Sequence, residues 1–207
     1  WNLILFPYWG IFLIPNIVAY FILVFNLYWF YQSFQIAVSA IVSHLKIQAS
    51  INYDWKNDLK SFPDWQKVHH VVIVPTYKEP LYILERTLSS LANQDLPKKQ
   101  ITVVLAMEEK ELEKERISKV EALNKQFAGI FGNLFITVHR LAPGEVIGKA
   151  SNERYAAVWT KNKLVDESGM DINYLTVTSS DADHKFHPKH FSYLTFKFLD
   201  NPDRYRY

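Results

Sequence analysis

From Trp1 to Leu45 the chain carries no Asp, Glu, Lys or Arg. Within that stretch, residues 3–31 (LILFPYWGIFLIPNIVAYFILVFNLYWFY) are almost continuously apolar. A run of roughly 20 apolar residues is long enough to cross a bilayer's hydrocarbon core as a helix. The best-placed segment is Ile11–Tyr31, with Pro15 in its first turns and Trp29 and Tyr31 where aromatic side chains meet headgroups. Trp1–Trp9, with Pro7 inside it and Gly10 beyond, reads as the tail of an earlier span. A tight two-helix hairpin is the alternative, and a fully buried core helix is the soluble one. No basic segment precedes the apolar run, so a cleaved secretory leader does not fit.

Residues 32–49 (QSFQIAVSAIVSHLKIQA) change character. Phe34, Ala37, Val38, Ile41, Val42 and Leu45 recur at helical spacing with polar residues between them. That pattern predicts a helix continuing out of the membrane or lying along its surface. Lys46, Lys56, Lys60 and Lys67 follow, and positive charge beside a span favours the cytoplasmic side, although Asp54, Asp58 and Asp64 dilute it. The expected organisation is transmembrane and juxtamembrane helices over 1–49, a linker with a short amphipathic helix over 50–68, and a charged, folded domain over 69–207. The expected location is an integral membrane protein with that domain on the cytoplasmic face. The sequence starts at Trp1 without Met and stops at Tyr207 just after a helical pattern, so it reads as a piece of a longer protein.

Past the linker the pattern alternates. His70–Val74 is a continuous apolar run, as a strand buried on both faces requires, and Pro75 is expected to stop it. Leu81, Leu84, Leu88 and Leu91 predict a helix over Leu81–Gln94. Ile101–Met107 is a second buried strand ending in Glu108 and Glu109, and Lys110–Phe127 is a charged helix. Asn133–Val138, a helix over Gly148–Trp159 and a strand at Leu175–Thr178 continue the series. Strands alternating with helices specify an α/β fold with a mostly parallel sheet covered on both faces. Lys and Arg number 23 against 21 Asp and Glu, a net charge of +2, which offers no footprint for nucleic acid. There is no Cys, so disulfides and thiolate metal sites are excluded.

The last strand feeds into SSDADHKFHP, where Asp181 and Asp183 stand one residue apart. In α/β sheets, ligands bind at the carboxyl ends of strands. Two neighbouring carboxylates repel, and a divalent cation or several donors must hold both ionised. Oxygen ligands suit Mg²⁺ or Mn²⁺, which take one or two carboxylates plus substrate phosphates. A polar turn with no ligand is the plainer reading. The first strand is followed by no Gly-x-Gly-x-x-Gly and no Walker loop, so phosphate charge would be met by a metal and basic side chains. His184, His187 and His190, at spacings of three, make a zinc site conceivable. Pro188 reads as the first residue of a final helix.

Five segments in order resemble the family 2 glycosyltransferases of GT-A fold. They are VVIVPTYKEP (Val71–Pro80), TLSSLANQDLP (Thr87–Pro97, with its Ser-Leu-x-x-Gln pattern), VVLAMEE (Val103–Glu109), GKASN (Gly148–Asn152) and SSDADHKFHP (Ser179–Pro188). The resemblance covers about His69–Leu199. It implies a GT-A, Rossmann-like fold and an inverting, metal-dependent, hexosyltransferase-type transfer of a sugar. The donor would be a nucleoside diphosphate sugar, and the acceptor a polysaccharide or a lipid-linked molecule. By that resemblance Pro75, Thr76 and Tyr77 cradle the nucleotide, with Tyr77 able to stack on the base, and Glu79 takes the place of a frequent acid. Glu108 and Glu109 stand where Asp is usual, and one of them accepts a base N–H. Lys149 meets a phosphate or the base, and Asn152 bonds the nucleotide or caps its helix. Asp181 touches the ribose or the metal, and Asp183 binds Mn²⁺ or Mg²⁺ directly. The family's catalytic base belongs to a later motif not found before Tyr207, and is expected beyond it. Two other readings remain. One is a membrane-tethered domain that binds nucleotide-sugar without turnover. The other is a haloacid-dehalogenase-like phosphotransferase, against which Lys185 stands where that family wants Thr or Val.

Overall fold

The computed structural model describes residues 2–142, 144–146 and 148–204. They form two compact units, Trp1–Tyr53 and Asp54–Tyr207.

The first unit is two helices, α1 (Asn2–Leu13) and α2 (Pro15–Asn52). Ile14 leaves the helical conformation at φ −142° and ψ 62°, and Pro15 starts α2. Proline's fixed φ suits a first helical position, and its missing N–H cannot extend the helix before it. The helix expected from Ile11 therefore begins at Pro15. The two helices pack together where Gly10 faces Val18; a Cβ on Gly10 would come within 2.9 Å of Val18 Cγ2. Phe6 meets Phe21 edge-on at 5.1 Å. No Pro or Gly interrupts residues 16–52, so the apolar run and the 32–49 segment form one helix of 38 residues. At 1.5 Å per residue it spans about 57 Å, against about 30 Å of bilayer hydrocarbon. By length and composition α2 can cross a membrane, and only 6% of its most apolar window is buried.

The second unit is built on a four-stranded sheet of order β3-β2-β1-β4. Its strands are β1 (His69–Thr76), β2 (Ile101–Glu108), β3 (Asn133–His139) and β4 (Leu175–Ser179), all parallel. The helices are α3 (Trp55–Leu59), α4 (Leu81–Ala92), α5 (Glu113–Phe127), α6 (Lys149–Lys161, continued by a π-helical turn at Asn162–Glu167) and α7 (His190–Asp200). Strand periodicity divides the core. Val72, Val74, Val103 and Leu105 face Leu84, Leu88, Leu123 and Phe191 of α4, α5 and α7. Val71, Ile73, Val104 and Ala106 face Ala156 of α6 and Leu164. This is the mostly parallel, Rossmann-like α/β sheet with flanking helices that the sequence specifies. Trp55 packs on Tyr193 and Phe196 of α7, with ring centroids 4.8 and 5.1 Å away.

Three boundaries differ from expectation, each for a local reason. β1 runs through Pro75 because β4 pairs with β1 only as far as Ile73. The missing proline N–H lies past the end of that ladder and costs no bond. α5 starts at Glu113, because Glu108–Glu111 turns back on itself (Glu111 N to Glu108 O, 3.2 Å) with Glu111 buried against Lys119. α7 starts at His190 because the Pro188 carbonyl is taken by the Asp95 N–H at 2.9 Å and the His187 carbonyl by Gln94 Nε2 at 3.0 Å.

His70 lies at the centre of this unit, fully buried. Its Nδ1 meets Thr176 Oγ1 at 2.6 Å and its Nε2 meets Thr195 Oγ1 at 2.8 Å. Burial pushes its pKa down to about 3 and that of neighbouring His69 down to about 4. Both are neutral structural histidines tying strands together and, through His70, α7 to the sheet.

Candidate functional site

The carboxyl ends of β1, β2 and β4 and the start of α6 surround a cleft of about 910 Å³. Pro75, Thr76, Tyr77, Glu79, Glu108, Lys149, Asn152, Asp181 and Asp183 all line it. Residues scattered over more than a hundred positions thus meet in one place, the crevice where parallel α/β sheets take ligands.

The Asp-x-Asp segment is held firmly. Beyond β4, the Ser180 N–H donates to Ile73 O (3.0 Å), and His184 N–H closes a turn onto Asp181 O (3.1 Å). Ala182 is buried between the two exposed acids. α4 grips this turn: Thr87 Oγ1 donates to Ala182 O (2.6 Å) and Arg86 Nη2 to Asp183 O (3.0 Å). The Ser-Leu-x-x-Gln pattern does the same further on. Ser90 Oγ accepts from Phe186 N (3.1 Å), and Gln94 Oε1 accepts from Phe191 N (3.3 Å). Arg86 and Thr87 thus hold the turn that carries the acids, and Ser90 and Gln94 hold the segment after it, without lining the main cleft themselves.

Lys149, the first residue of α6, donates to Asp181 Oδ1 in a very short contact and approaches Glu153 Oε1 at 3.4 Å. Glu153 is tethered by Ser179 Oγ at 2.5 Å. The hydrogen bond from Lys149 holds the Asp181 carboxyl below its ordinary pKa, and the same bond raises that of Lys149. Asn152 is 2% exposed. Its Nδ2 donates to Ala106 O at 2.7 Å, while its Oδ1 has no partner. A buried acceptor left unpaired costs about 1–3 kcal/mol. On the wall of a cleft, such an atom marks where a ligand's N–H or O–H would be received.

Glu79 closes the loop after β1: its Oε2 accepts from Thr76 Oγ1 (2.7 Å) and, in a very short contact, from Tyr77 N–H. This holds Lys78 at φ +64°, a left-handed conformation unusual for a side-chain-bearing residue. The turn presents the Tyr77 ring, 41% exposed, with the Lys78 ammonium 5.0 Å from its centroid.

Of the acids ending β2, only Glu108 lines the cleft. Glu109 turns toward β3: its N–H donates to His139 O (3.0 Å), and its carboxylate pairs with Arg140 at 3.4 Å. With His139, Arg140 and Leu141 it borders a smaller neighbouring pocket, which shares Glu108 and Lys110 with the main cleft. Tyr82 and Lys110 also line the main cleft, though no motif in the sequence points to them, as does Gly148 of the GKASN segment. Lys110 reads as the start of a charged helix, and only its place directly after two acids at a strand end could have drawn attention to it.

The two carboxylates on the cleft wall that could hold a metal are Asp181 and Asp183. Among the described residues no group of three or more His, Cys, Asp or Glu could hold an ion. The zinc site of His184, His187 and His190 is not assembled; the rings of His184 and His190 lie edge-on to Phe186 at 4.7 and 5.2 Å. Two exposed carboxylates on a cleft wall fit an ion such as Mg²⁺ or Mn²⁺, which keeps several waters and takes its remaining oxygens from phosphate.

No protein-family model and no curated protein sequence matches the chain. Among solved structures it is similar to S. aureus TarS, at 20% identity and a TM-score of 0.42 over 64% of this chain and 20% of that one. It is also similar to the mannosyltransferase PcManGT from Pyrobaculum calidifontis, solved with GDP-Man and Mn²⁺. There the identity is 20% and the TM-score 0.42, over 78% of this chain and 40% of that one. The chain thus spans well under half the length of either protein, and likeness at this level assigns it no function.

Proposed function

We propose that the chain binds a nucleoside diphosphate sugar in the main cleft together with Mn²⁺ or Mg²⁺. On this reading it is the donor-binding part of an inverting, membrane-attached glycosyltransferase of the GT-A, family 2 type, hexosyltransferase in kind. α2 would be the membrane span, with the second unit on the cytoplasmic face. The observation that carries the reading is the meeting of Asp181, Asp183, Lys149 and the unpaired Asn152 Oδ1 in one cleft at the strand ends.

The residues divide the donor between them. Asp181 and Asp183 would hold the ion, which when bound supplies positive charge against the diphosphate leaving group. Lys149 brings a second, permanent charge to the same end; its ammonium already lies at Asp181, so it is placed to shift onto a phosphate oxygen. Asn152 Oδ1 accepts from the ribose or base. Tyr77 offers a ring face, and Glu108 an acceptor for a base N–H. Pro75 and Thr76 form the floor at the end of β1, and Glu79 keeps Tyr77 in position. Of the two acids, Glu108 lines the main cleft and is the better placed for that role, while Glu109 pairs with Arg140.

Calorimetry of the full chain in detergent, titrated with GDP and with UDP, tests this. Binding of either nucleotide that requires Mn²⁺ or Mg²⁺ and weakens in Asn152→Ala supports it. Absence of binding by both would overturn it. A non-catalytic binder would give the same titrations.

A further inference from the structure

Lys149 takes the first position of α6, where the positive end of the helix dipole disfavours a cation. Its i,i+4 partner Glu153 lies on the C-terminal side, the weaker order for an ion pair along a helix. Helix stability therefore does not account for the pair. What fixes it is a contact from the sheet: Ser179, the last residue of β4, donates its hydroxyl to Glu153 Oε1 at 2.5 Å. The same Oε1 lies 3.4 Å from the Lys149 ammonium. The ammonium thus meets two carboxylates, Asp181 in a very short contact and Glu153 at longer range. Lys149 and Asp181 line the main cleft, and Glu153 is not among its lining residues.

The two carboxylates differ in what else can claim them. Asp181 stands with Asp183 on the cleft wall, where the pair fits a divalent cation. The Glu153 side chain is 25% exposed and anchored by Ser179, so its place is fixed. A divalent cation on Asp181 competes with the ammonium for one carboxylate, and the two positive charges repel. An ammonium has three donors on a flexible four-carbon stem, so it can release one acceptor and keep another.

We propose that Glu153 is a positioning residue that receives the Lys149 ammonium when a divalent cation takes Asp181. The assignment rests on the proposed function, which makes Asp181 and Asp183 the cation's ligands. Glu153 keeps the ammonium at the mouth of the cleft, within reach of an arriving phosphate oxygen. Lys149 then acts with two signs: it opposes the cation alone and favours the phosphate that the cation holds.

Binding of Mn²⁺ alone, read from the EPR signal of the free ion, tests this on the full chain in detergent without nucleotide. The parent is compared with Lys149→Gln, Glu153→Gln, the double variant and Asp183→Asn. Gln at 153 keeps an oxygen for the Ser179 hydroxyl, so the anchor survives. The expected result is that Lys149→Gln tightens Mn²⁺ about threefold and Glu153→Gln weakens it about threefold. In the Lys149→Gln background the Glu153→Gln effect should largely disappear, because no ammonium is left to receive. A carboxylate acting only through its field would weaken Mn²⁺ equally in both backgrounds, and that result overturns the proposal. So does Mn²⁺ binding that Lys149→Gln leaves unchanged or weakens, that survives in Asp183→Asn, or that is absent from the parent. If the expected cycle is found while neither GDP nor UDP binds, the donor reading falls and the handover stands. Metal-dependent nucleotide binding with equal Glu153→Gln effects in both backgrounds keeps the donor reading and removes the handover.

Discussion

Lys149 ion-pairs with Asp181 although 32 residues separate them, one at the start of α6 and the other just past β4. The pair spans the mouth of the cleft and leaves Asp183 as the acid not engaged by that lysine. Its side chains are 51% and 69% exposed, so the pair adds little to folding. Lys149→Gln should therefore leave the thermal midpoint within a degree or two of the parent, while weakening nucleoside diphosphate binding about tenfold. Thermal melting and calorimetry on the same preparation check this; a large loss of stability with unchanged affinity would reverse the assignment.

Gly132 directly precedes β3 and packs against the start of β2. A Cβ there would lie 2.5 Å from Lys99 O and 3.2 Å from Ile101 O, both backbone atoms. Its own N–H donates to Ile101 O at 2.8 Å, so the segment has little room to move away. Gly132→Ala should cost about 1–3 kcal/mol, read as a lower urea midpoint. Gly129→Ala meets no crowding but has φ +69°, and is expected to cost about 1 kcal/mol through backbone strain alone.

Stability should fall with acid before the carboxylates titrate. An unfolded histidine takes up its proton near its ordinary value of 6.5, whereas folded His69 and His70 resist protonation until about 4 and about 3. The unfolded state thus binds more protons across that window. Stability is fully present above pH 6.5 and declines as pH falls, at up to about 1.4 kcal/mol per pH unit for each histidine. Urea unfolding between pH 7.5 and 5 should show a midpoint dropping with pH. A flat profile would mean that these rings are not held neutral.

Thr87 reaches the Asp-x-Asp turn from α4, through its hydroxyl to Ala182 O at 2.6 Å in a buried setting. Thr87→Val keeps the shape and removes the bond. It should cost about 1–3 kcal/mol in stability, because the Ala182 carbonyl is left unsatisfied. It should also weaken Mn²⁺-dependent nucleotide binding by loosening the two acids, whereas a purely structural role would move stability alone.

Much of this arrangement was legible because it follows from periodicity. Continuous apolar runs at His70–Val74 and Ile101–Met107 can be strands only if both faces are covered, and α4, α5 and α7 on one side and α6 on the other cover them. The cleft residues were legible for a similar reason: they sit at strand ends or at a helix start, where chain direction alone decides which edge they reach. What sequence could not show was how the chain leaves each strand. Glu108 and Glu109 are adjacent, and only the bond from Glu109 N–H to His139 O decides that the second turns away. Ser90 and Gln94 of the Ser-Leu-x-x-Gln pattern are spent on the backbone of the Phe186–Phe191 segment. Partners 93 to 97 residues away leave no local signal.

In the proposed function, Asp181 and Asp183 bind a divalent cation that holds a sugar donor's diphosphate. Calorimetry of Asp183→Asn against the parent, with GDP and UDP in the presence of Mn²⁺ and again in EDTA, tests it most directly. The account predicts nucleotide binding by the parent only with Mn²⁺, and its loss in the variant with thermal stability unchanged. Equal binding by both proteins, or binding by the parent undiminished in EDTA, would contradict it.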